Sequence, residues 1–418
     1  MRKIDEKFKK VAIMSSDNKL FDCLVEVNNF AFANDYLQKN GLKVEKSYKF
    51  LNILALKAKK NEIFNIERLP FVKYIYGDVK VLALTNVSRK ILGTENVKYY
   101  GTGINVAIID TGICSHFDFV IGKNRIIKFI DLVNGKKTNY DDNGHGTFVS
   151  GVLAGNGLIS HKKYRGFAPN CNIISLKALD DNGEANALTI LDAMEWVYKN
   201  AKKFNIKVVC MSFGSEPIGI NDPIMRGAEK LWNSGIVVVA AAGNSGPKYE
   251  TIKSPGISPK IITVGGFNDN RIGESFYENF FEVADFSSRG PAFNKIKPDL
   301  VAPSVDIVSC SLNNSYTTLS GTSVATPMIA GICTLIVEKY PNLKPDQIKQ
   351  MILRCCKGIV HNFNQEGMGY PNISWTIIQP NIVADKKWNN KSKSKSDIFH
   401  DDVFWIVIKL FDYFFQKV

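Results

Sequence analysis

The stretch INVAIIDTGI, residues 104–113, decides how this chain folds. Val106–Ile109 is a short apolar run, and Thr111-Gly112 after it is a turn signal. A run without polar alternation suits a strand buried on both faces of a parallel sheet. The run ends on Asp110. A carboxylate there is costly unless it is hydrogen-bonded or has a chemical task. Two readings stay open at this point. Asp110 either caps the turn, or it is a functional group at the carboxyl end of a strand, where open α/β sheets place their sites.

The pattern repeats outward from this stretch. NIISLKAL (172–179), IKVVCMSF (206–213), GIVVVAAAG (235–243) and IITVGG (261–266) read as further strands, apolar on both faces. Helical segments alternate with them: 186–205, 222–235, 321–341 and 344–356. Strands alternating with helices predict a three-layer α/β domain around a parallel central sheet. Residues 20–78 follow a different order. LFDCLVEV, FAFANDYLQKNG, LKVEKSYKF, LNILALKA, KKNEIFNIERLP and FVKYIYGD read as β-α-β-β-α-β, a split βαβ unit of α+β class. The expected organisation is a small domain over 1–84, the α/β domain over 85–380, and a tail over 381–418. That tail joins a polar linker to an aromatic-rich helix.

The chain has 418 residues, 45% hydrophobic and 22% charged, which places it among ordinary globular proteins. The net charge of +13 is dispersed, and no zinc-finger spacing or RNA-binding aromatic signature accompanies it, so no nucleic-acid partner is expected. The eight cysteines form no CxxC pair and several lie in apolar runs, which points to a reducing compartment. The first twenty residues hold no apolar core of a secretory leader, and no run of about 18 apolar residues occurs; a cytoplasmic protein is expected. The aromatic-rich stretch DDVFWIVIKLFDYFFQKV, 401–418, reads as too short to span a bilayer. Docking on the protein's own surface, a partner contact and a membrane-surface contact all remain open for residues 398–418.

Two more stretches join Asp110. In DDNGHGTFVSG (141–151), His145 sits between two glycines at the start of a small-residue helix. In LSGTSVATPMIAG (319–331), Ser323 opens a long apolar helix, where unsatisfied N–H groups favour a developing anion. Ser320 and Thr322 read as turn and cap residues, and Pro327 as a marker of the helix start. A serine hydroxyl is a weak nucleophile until an imidazole takes its proton, and the imidazole needs a carboxylate to fix its tautomer. The order Asp110, His145, Ser323 is one of the known chain orders of such a trio.

AIIDTGI, GHGTFVSG and SGTSVATPMIAG together resemble the three signature blocks of subtilisin-like serine proteases, and VVCMSFGS and VVAAAGNSG resemble blocks between them. The resemblance spans about residues 100–372 and implies peptide-bond hydrolysis on a subtilase fold. It implies Asp110 as orienting carboxylate, His145 as general base then acid, and Ser323 as nucleophile. It implies Asn244, with the Ser323 N–H, as the oxyanion site. Ser212, Phe213 and Gly214 would pair with extended substrate, and Ala241, Ala242 and Gly243 would line the opposite wall. Lys253 falls near the floor of the first specificity pocket. There it either snorkels to solvent or favours an acidic residue at the cleavage position. Phe148 stands where many relatives carry a second, non-catalytic His.

Catalysis of this kind needs no cofactor and no metal. GNGLISHKKYRG (155–166) replaces the calcium loop of many subtilisins and contains no carboxylate, so structural calcium is not expected there. The resemblance also implies that the N-terminal domain is a propeptide. It would act as an intramolecular inhibitor and be cut off between about residues 78 and 88. The alternative is a catalytically silent scaffold that binds and regulates.

Overall fold

The structure, a computed structural model, describes residues 3–77, 85–271, 273 and 275–373. Most of the expected cleavage window and the whole of the expected tail lie outside the described residues.

In the N-terminal region, helix α1 (Glu6–Met14) precedes β1 (Leu20–Val27), α2 (Phe30–Lys39), β2 (Val44–Tyr48), β3 (Ile53–Lys59), α3 (Lys60–Glu67) and β4 (Val72–Gly77). The antiparallel sheet has the order β2-β3-β1-β4, as the β-α-β-β-α-β reading requires. Its core is separate from that of the larger domain and contains Val25, Leu37, Leu54, Leu56, Ile63 and Ile75. Helix α1 adds Phe8 and Val11 to this core. Its amphipathic run escaped the sequence reading because it is short and rich in lysine. Asp5 caps it by accepting the Phe8 N–H at 2.9 Å.

The larger domain follows as α4 (Thr85–Ile91), β5 (Asn105–Asp110), α5 (Phe117–Val120), β6 (Ile126–Asp131), α6 (His145–Ala154), β7 (Asn172–Lys177), α7 (Ala187–Asn200), β8 (Ile206–Met211), α8 (Pro223–Asn233), β9 (Val237–Ala241), β10 (Ile262–Asn268), β11 (Glu282–Val283), β12 (Leu300–Pro303), β13 (Ile307–Ser311), β14 (Ser315–Leu319), α9 (Thr322–Lys339) and α10 (Pro345–Leu353). The central sheet runs β11-β10-β9-β8-β5-β7-β6, with β12 also beside β10. Every pair is parallel except β10 with the edge strand β11. From β5 the chain first builds β7 and β6 on one side, then β8 to β10 on the other. The reversal falls between β5 and β8, and the carboxyl ends of these two strands flank the crevice where such sheets bind ligands.

The five strands expected from the sequence are present within a residue or two of their expected ends. One assumption about them fails. NIISLKAL is not apolar on both faces, because Lys177 is fully buried in it. Helix α9 is apolar all round and almost wholly buried, packing on α6 and on β8, β9, β10 and β12. None of the eight cysteines is in a disulfide, and six are buried.

Candidate active site

Asp110, His145 and Ser323 come from three separate elements that all begin or end at the carboxyl edge of the sheet. Asp110 is the last residue of β5, His145 the first of α6, and Ser323 the second of α9. Asp110 is buried, and its Oδ1 accepts the Thr111 N–H at 2.8 Å and lies 2.7 Å from His145 Nδ1. That bond assigns the Nδ1 proton to His145 and leaves Nε2 as the basic nitrogen. Burial works against the imidazolium, but the charge and hydrogen bond of Asp110, with Asp141 beyond, outweigh it and hold His145 above the usual imidazole range. About a quarter of the His145 side chain, 24%, stays exposed.

The approach of α6 to Asp110 depends on glycine. A Cβ at Gly146 would fall 2.2 Å from the Gly112 carbonyl oxygen, so only glycine lets the helix start reach the turn after β5. Asp141 then ties the corner together. Its Oδ1 accepts from Thr111 Oγ1 (2.9 Å) and the Gly144 N–H (2.8 Å), and its Oδ2 from the Thr147 N–H (2.8 Å) and hydroxyl (2.7 Å). Lys177 braces the same turn from behind, donating to Thr111 O (2.8 Å), Leu179 O (3.0 Å) and Asp142 Oδ1 (2.6 Å).

On the other side, the N-cap of α9 is Gly321, and no side chain caps it. This corrects the sequence expectation for Ser320 and Thr322. Ser320 Oγ accepts the Asp306 N–H at 2.9 Å. Both the backbone N–H and the hydroxyl of Thr322 donate to Asn244 Oδ1, each at 2.9 Å. With its oxygen occupied, Asn244 must present Nδ2 elsewhere. A Cβ built on Gly321 would have Asn244 Nδ2 at 3.2 Å and Ser323 Oγ at 3.3 Å, so both atoms face one small space that a side chain would fill. An amide donor facing the same space as a hydroxyl is what an oxyanion intermediate needs. Among the described residues nothing hydrogen-bonds the Ser323 hydroxyl, His145 Nε2 included. Pro327 lies inside α9, past the first turn, so it does not mark the start. Lacking an N–H, it leaves the Ser323 carbonyl without its helical partner.

The expected substrate-binding residues line the same edge. Ser212, Phe213 and Gly214 follow β8, and no hydrogen bond engages the backbone of Phe213 or Gly214 among the described residues. A groove of about 450 Å³ runs between Phe213–Glu216 and Gly183–Ala187. Ala241 and Ala242 are buried, and Ala242 packs with Met225, Ile252 and Ile257, so this wall is backbone. The Lys253 ammonium pairs with Glu216, whose side chain is largely exposed.

Asp141 and Lys177 were not singled out from the sequence, and Thr322 was read only as a cap. A lysine inside an apolar strand was the one available signal, since a buried ammonium demands partners. His116, Asp118 and Cys310 offer ligand atoms within 4.8 Å of one another. Their atoms are already used. His116 accepts the Asp118 N–H at Nδ1 (3.1 Å) and faces Ser315 O at Nε2 (3.0 Å). The Tyr316 hydroxyl and the Cys310 thiol both donate to Asp118 Oδ2, at 2.9 and 3.5 Å. Residues 155–166 bring no carboxylate and carry His161, Lys162, Lys163 and Arg165. The nearby Asp118 accepts the Ile159 N–H through Oδ1 at 3.4 Å. This donor set does not fit a hard divalent cation.

Residues 101–369 match the subtilase family. The chain belongs to the subtilase family. Serine protease AprX of Bacillus subtilis is 36% identical over 352 residues, 77% of this chain and 78% of that protein. Subtilisin DY of Bacillus licheniformis is 34% identical over 278 residues, 66% of this chain and 91% of that protein. Among solved structures, the S41 psychrophilic protease superposes with a TM-score of 0.60 at 27% identity, covering 68% of this chain and 97% of that one. A cold-adapted subtilisin-like serine proteinase gives 0.55 at 26%, covering 69% and 96%. The subtilase fold and serine-protease class follow for this chain. No helix among the described residues is long and apolar enough to cross a membrane.

Proposed function

We propose that this subtilase is an endopeptidase in which Asp110, His145 and Ser323 cut peptide bonds through an acyl-enzyme. The observation that carries the reading is the 2.7 Å Asp110–His145 contact, with Asn244 Nδ2 and Ser323 Oγ facing one space beside Gly321. Ser323 Oγ attacks the carbonyl carbon while His145 Nε2 takes its proton. The oxyanion accepts hydrogen bonds from Asn244 Nδ2 and the Ser323 N–H. His145 returns the proton to the departing amine, leaving an ester on Ser323. A water, deprotonated by His145, then hydrolyses the ester. Asp110 holds the imidazole in the required tautomer. The unengaged backbone of Phe213 and Gly214 supports binding of extended substrate by strand addition.

The N-terminal domain, with its own core, serves as an intramolecular inhibitor and is removed by self-cleavage between about residues 78 and 88. A parallel sheet built from distant segments folds slowly, which gives such a domain a templating role. Eight cysteines without a disulfide support a cytoplasmic site of action. Residues 155–166 work without calcium, and residues 398–418 contact a partner or membrane surface.

The test is the mass of two products, wild type and Ser323→Ala. The wild type should lose roughly 80 residues and label with a fluorophosphonate, while Ser323→Ala stays whole and unlabelled. Both proteins intact and unlabelled would favour the silent-scaffold reading.

A further inference from the structure

We propose that Lys253 and Glu216 form an exchangeable ion pair through which the enzyme selects an acidic side chain on the residue preceding the cut bond. The inference rests on the protease reading and names the substrate class of that site. Gly214 and Gly243 face each other across the slot beside Asn244, and neither contributes a side chain. The Lys253 stem lies between them. A Cβ at Gly214 would fall 2.6 Å from Lys253 Cβ, and one at Gly243 would fall 2.4 Å from Lys253 Cγ. With the resemblance, this contact with both glycines puts the stem at the floor of the first specificity pocket.

Its backbone is pinned. Lys253 N–H donates to Ala242 O at 2.8 Å, and the adjacent Ser254 exchanges two backbone bonds with Ser215 at 2.9 Å each. Only the distal part of the lysine can move. Its side chain is 15% exposed, whereas that of Glu216 is 81% exposed. Among the described residues Glu216 has no other hydrogen-bond or ion-pair partner.

The two ends of this pair are unequal. Glu216 loses little by returning to water, because an ion pair with so exposed a partner holds weakly. Lys253, enclosed by the slot, needs a negative partner there. An Asp or Glu side chain entering with the substrate supplies one and releases Glu216 to solvent. A neutral side chain of the same length supplies none and must share the slot with the lysine stem. Glu216 is thus a placeholder that keeps the ammonium compensated while the slot is empty. Asp78 is the only acidic residue in the window 78–88, so self-cleavage is expected after it.

The experiment uses the full chain, with active sites counted by fluorophosphonate labelling, and peptide anilides that differ only in Glu, Gln or Leu at the cleavage position. The Glu/Gln comparison isolates charge at constant shape. The wild type should favour Glu over Gln by about tenfold or more in kcat/KM, and Lys253→Met should bring the ratio near one. Glu216→Gln should raise the Glu rate roughly threefold relative to the Leu rate. A wild-type ratio at or below one, or a ratio unchanged in Lys253→Met, overturns acidic selection. A Glu rate unchanged relative to the Leu rate in Glu216→Gln overturns the exchange. Absence of labelling in the wild type would sink the protease reading, and this inference with it; labelling with an inverted ratio sinks only the inference.

Discussion

Asp110 and Asp299 are buried carboxylates at opposite ends of one parallel sheet, and they are held in opposite ways. Asp299 precedes β12 at the amino ends of the strands. Its Oδ2 meets Lys297 Nζ at 2.7 Å and the Thr263 N–H at 2.8 Å, and its Oδ1 meets Lys349 Nζ at 2.7 Å. Burial works to raise its pKa, but the two ammoniums outweigh burial and keep it below the usual carboxylate range. Lys297 shows the converse: burial lowers it to about 7 although Asp299 opposes the shift. Asp110 sits at the carboxyl ends with one imidazole and one amide on Oδ1, and its buried Oδ2 has no protein partner among the described residues. Saturation marks the carboxylate that holds structure. A carboxylate with one oxygen bonded, to an amide and an imidazole, and the other without a protein partner is the one that the proposed mechanism gives the task of biasing a neighbour. On that mechanism the sheet keeps a structural ion cluster at one pole and the chemistry at the other.

The comparison can be broken from either end. The largest expected effect is that of Asp110→Asn, which preserves shape but favours the wrong tautomer of His145. Turnover should fall by about four orders of magnitude, the scale for losing a tautomer-fixing carboxylate, while the denaturation midpoint barely moves. Asp299→Asn should do the reverse. Leaving two buried ammoniums uncompensated costs about 3–5 kcal/mol, which lowers the urea midpoint, while labelling per folded molecule stays at the wild-type rate. A collapse of activity in folded Asp299→Asn would end the division of labour. A smaller effect concerns acid. The base works only when neutral, so the labelling rate should fall as pH drops through the folded pKa of His145. That pKa is raised, so the fall should begin at higher pH than for a free imidazole, and Asp110→Asn should shift the limb to lower pH. The smallest effect should be that of a chelator. Without a carboxylate in residues 155–166, EGTA should leave thermal unfolding of this corner unchanged, and a clear drop would restore calcium there.

The sequence was most legible where the required chemistry is local. The buried strands announce themselves by composition, and Asp110, His145 and Ser323 each stand in a turn punctuated by glycine. Strand β6 was missed because it is an edge strand with half-exposed residues, lacking the two-sided apolar run of its neighbours. The Leu300–Pro303 strand is four residues long and ends in proline, so no local pattern could declare it. Asp141, Lys177 and Thr322 look like ordinary turn, strand and helix-start residues. Their roles depend on partners far along the chain: Thr111 lies 30 positions from Asp141 and 66 from Lys177, and Asn244 lies 78 from Thr322. The resemblance puts Lys253 near the first specificity pocket, but its pairing with Glu216, 37 positions away, needed the fold.

The bond between Thr322 and Asn244 also sets a clock. Asn244 is synthesised long before the helix that fixes its amide, and Ser323 arrives in that same helix. Until residue 322 has emerged and α9 has packed on the sheet beside α6, the growing chain holds Asp110 and His145 but not Ser323. On the proposed mechanism a nascent or truncated copy that ends before this point cannot cut, because the nucleophile and the residue that fixes the Asn244 amide arrive in the same helix.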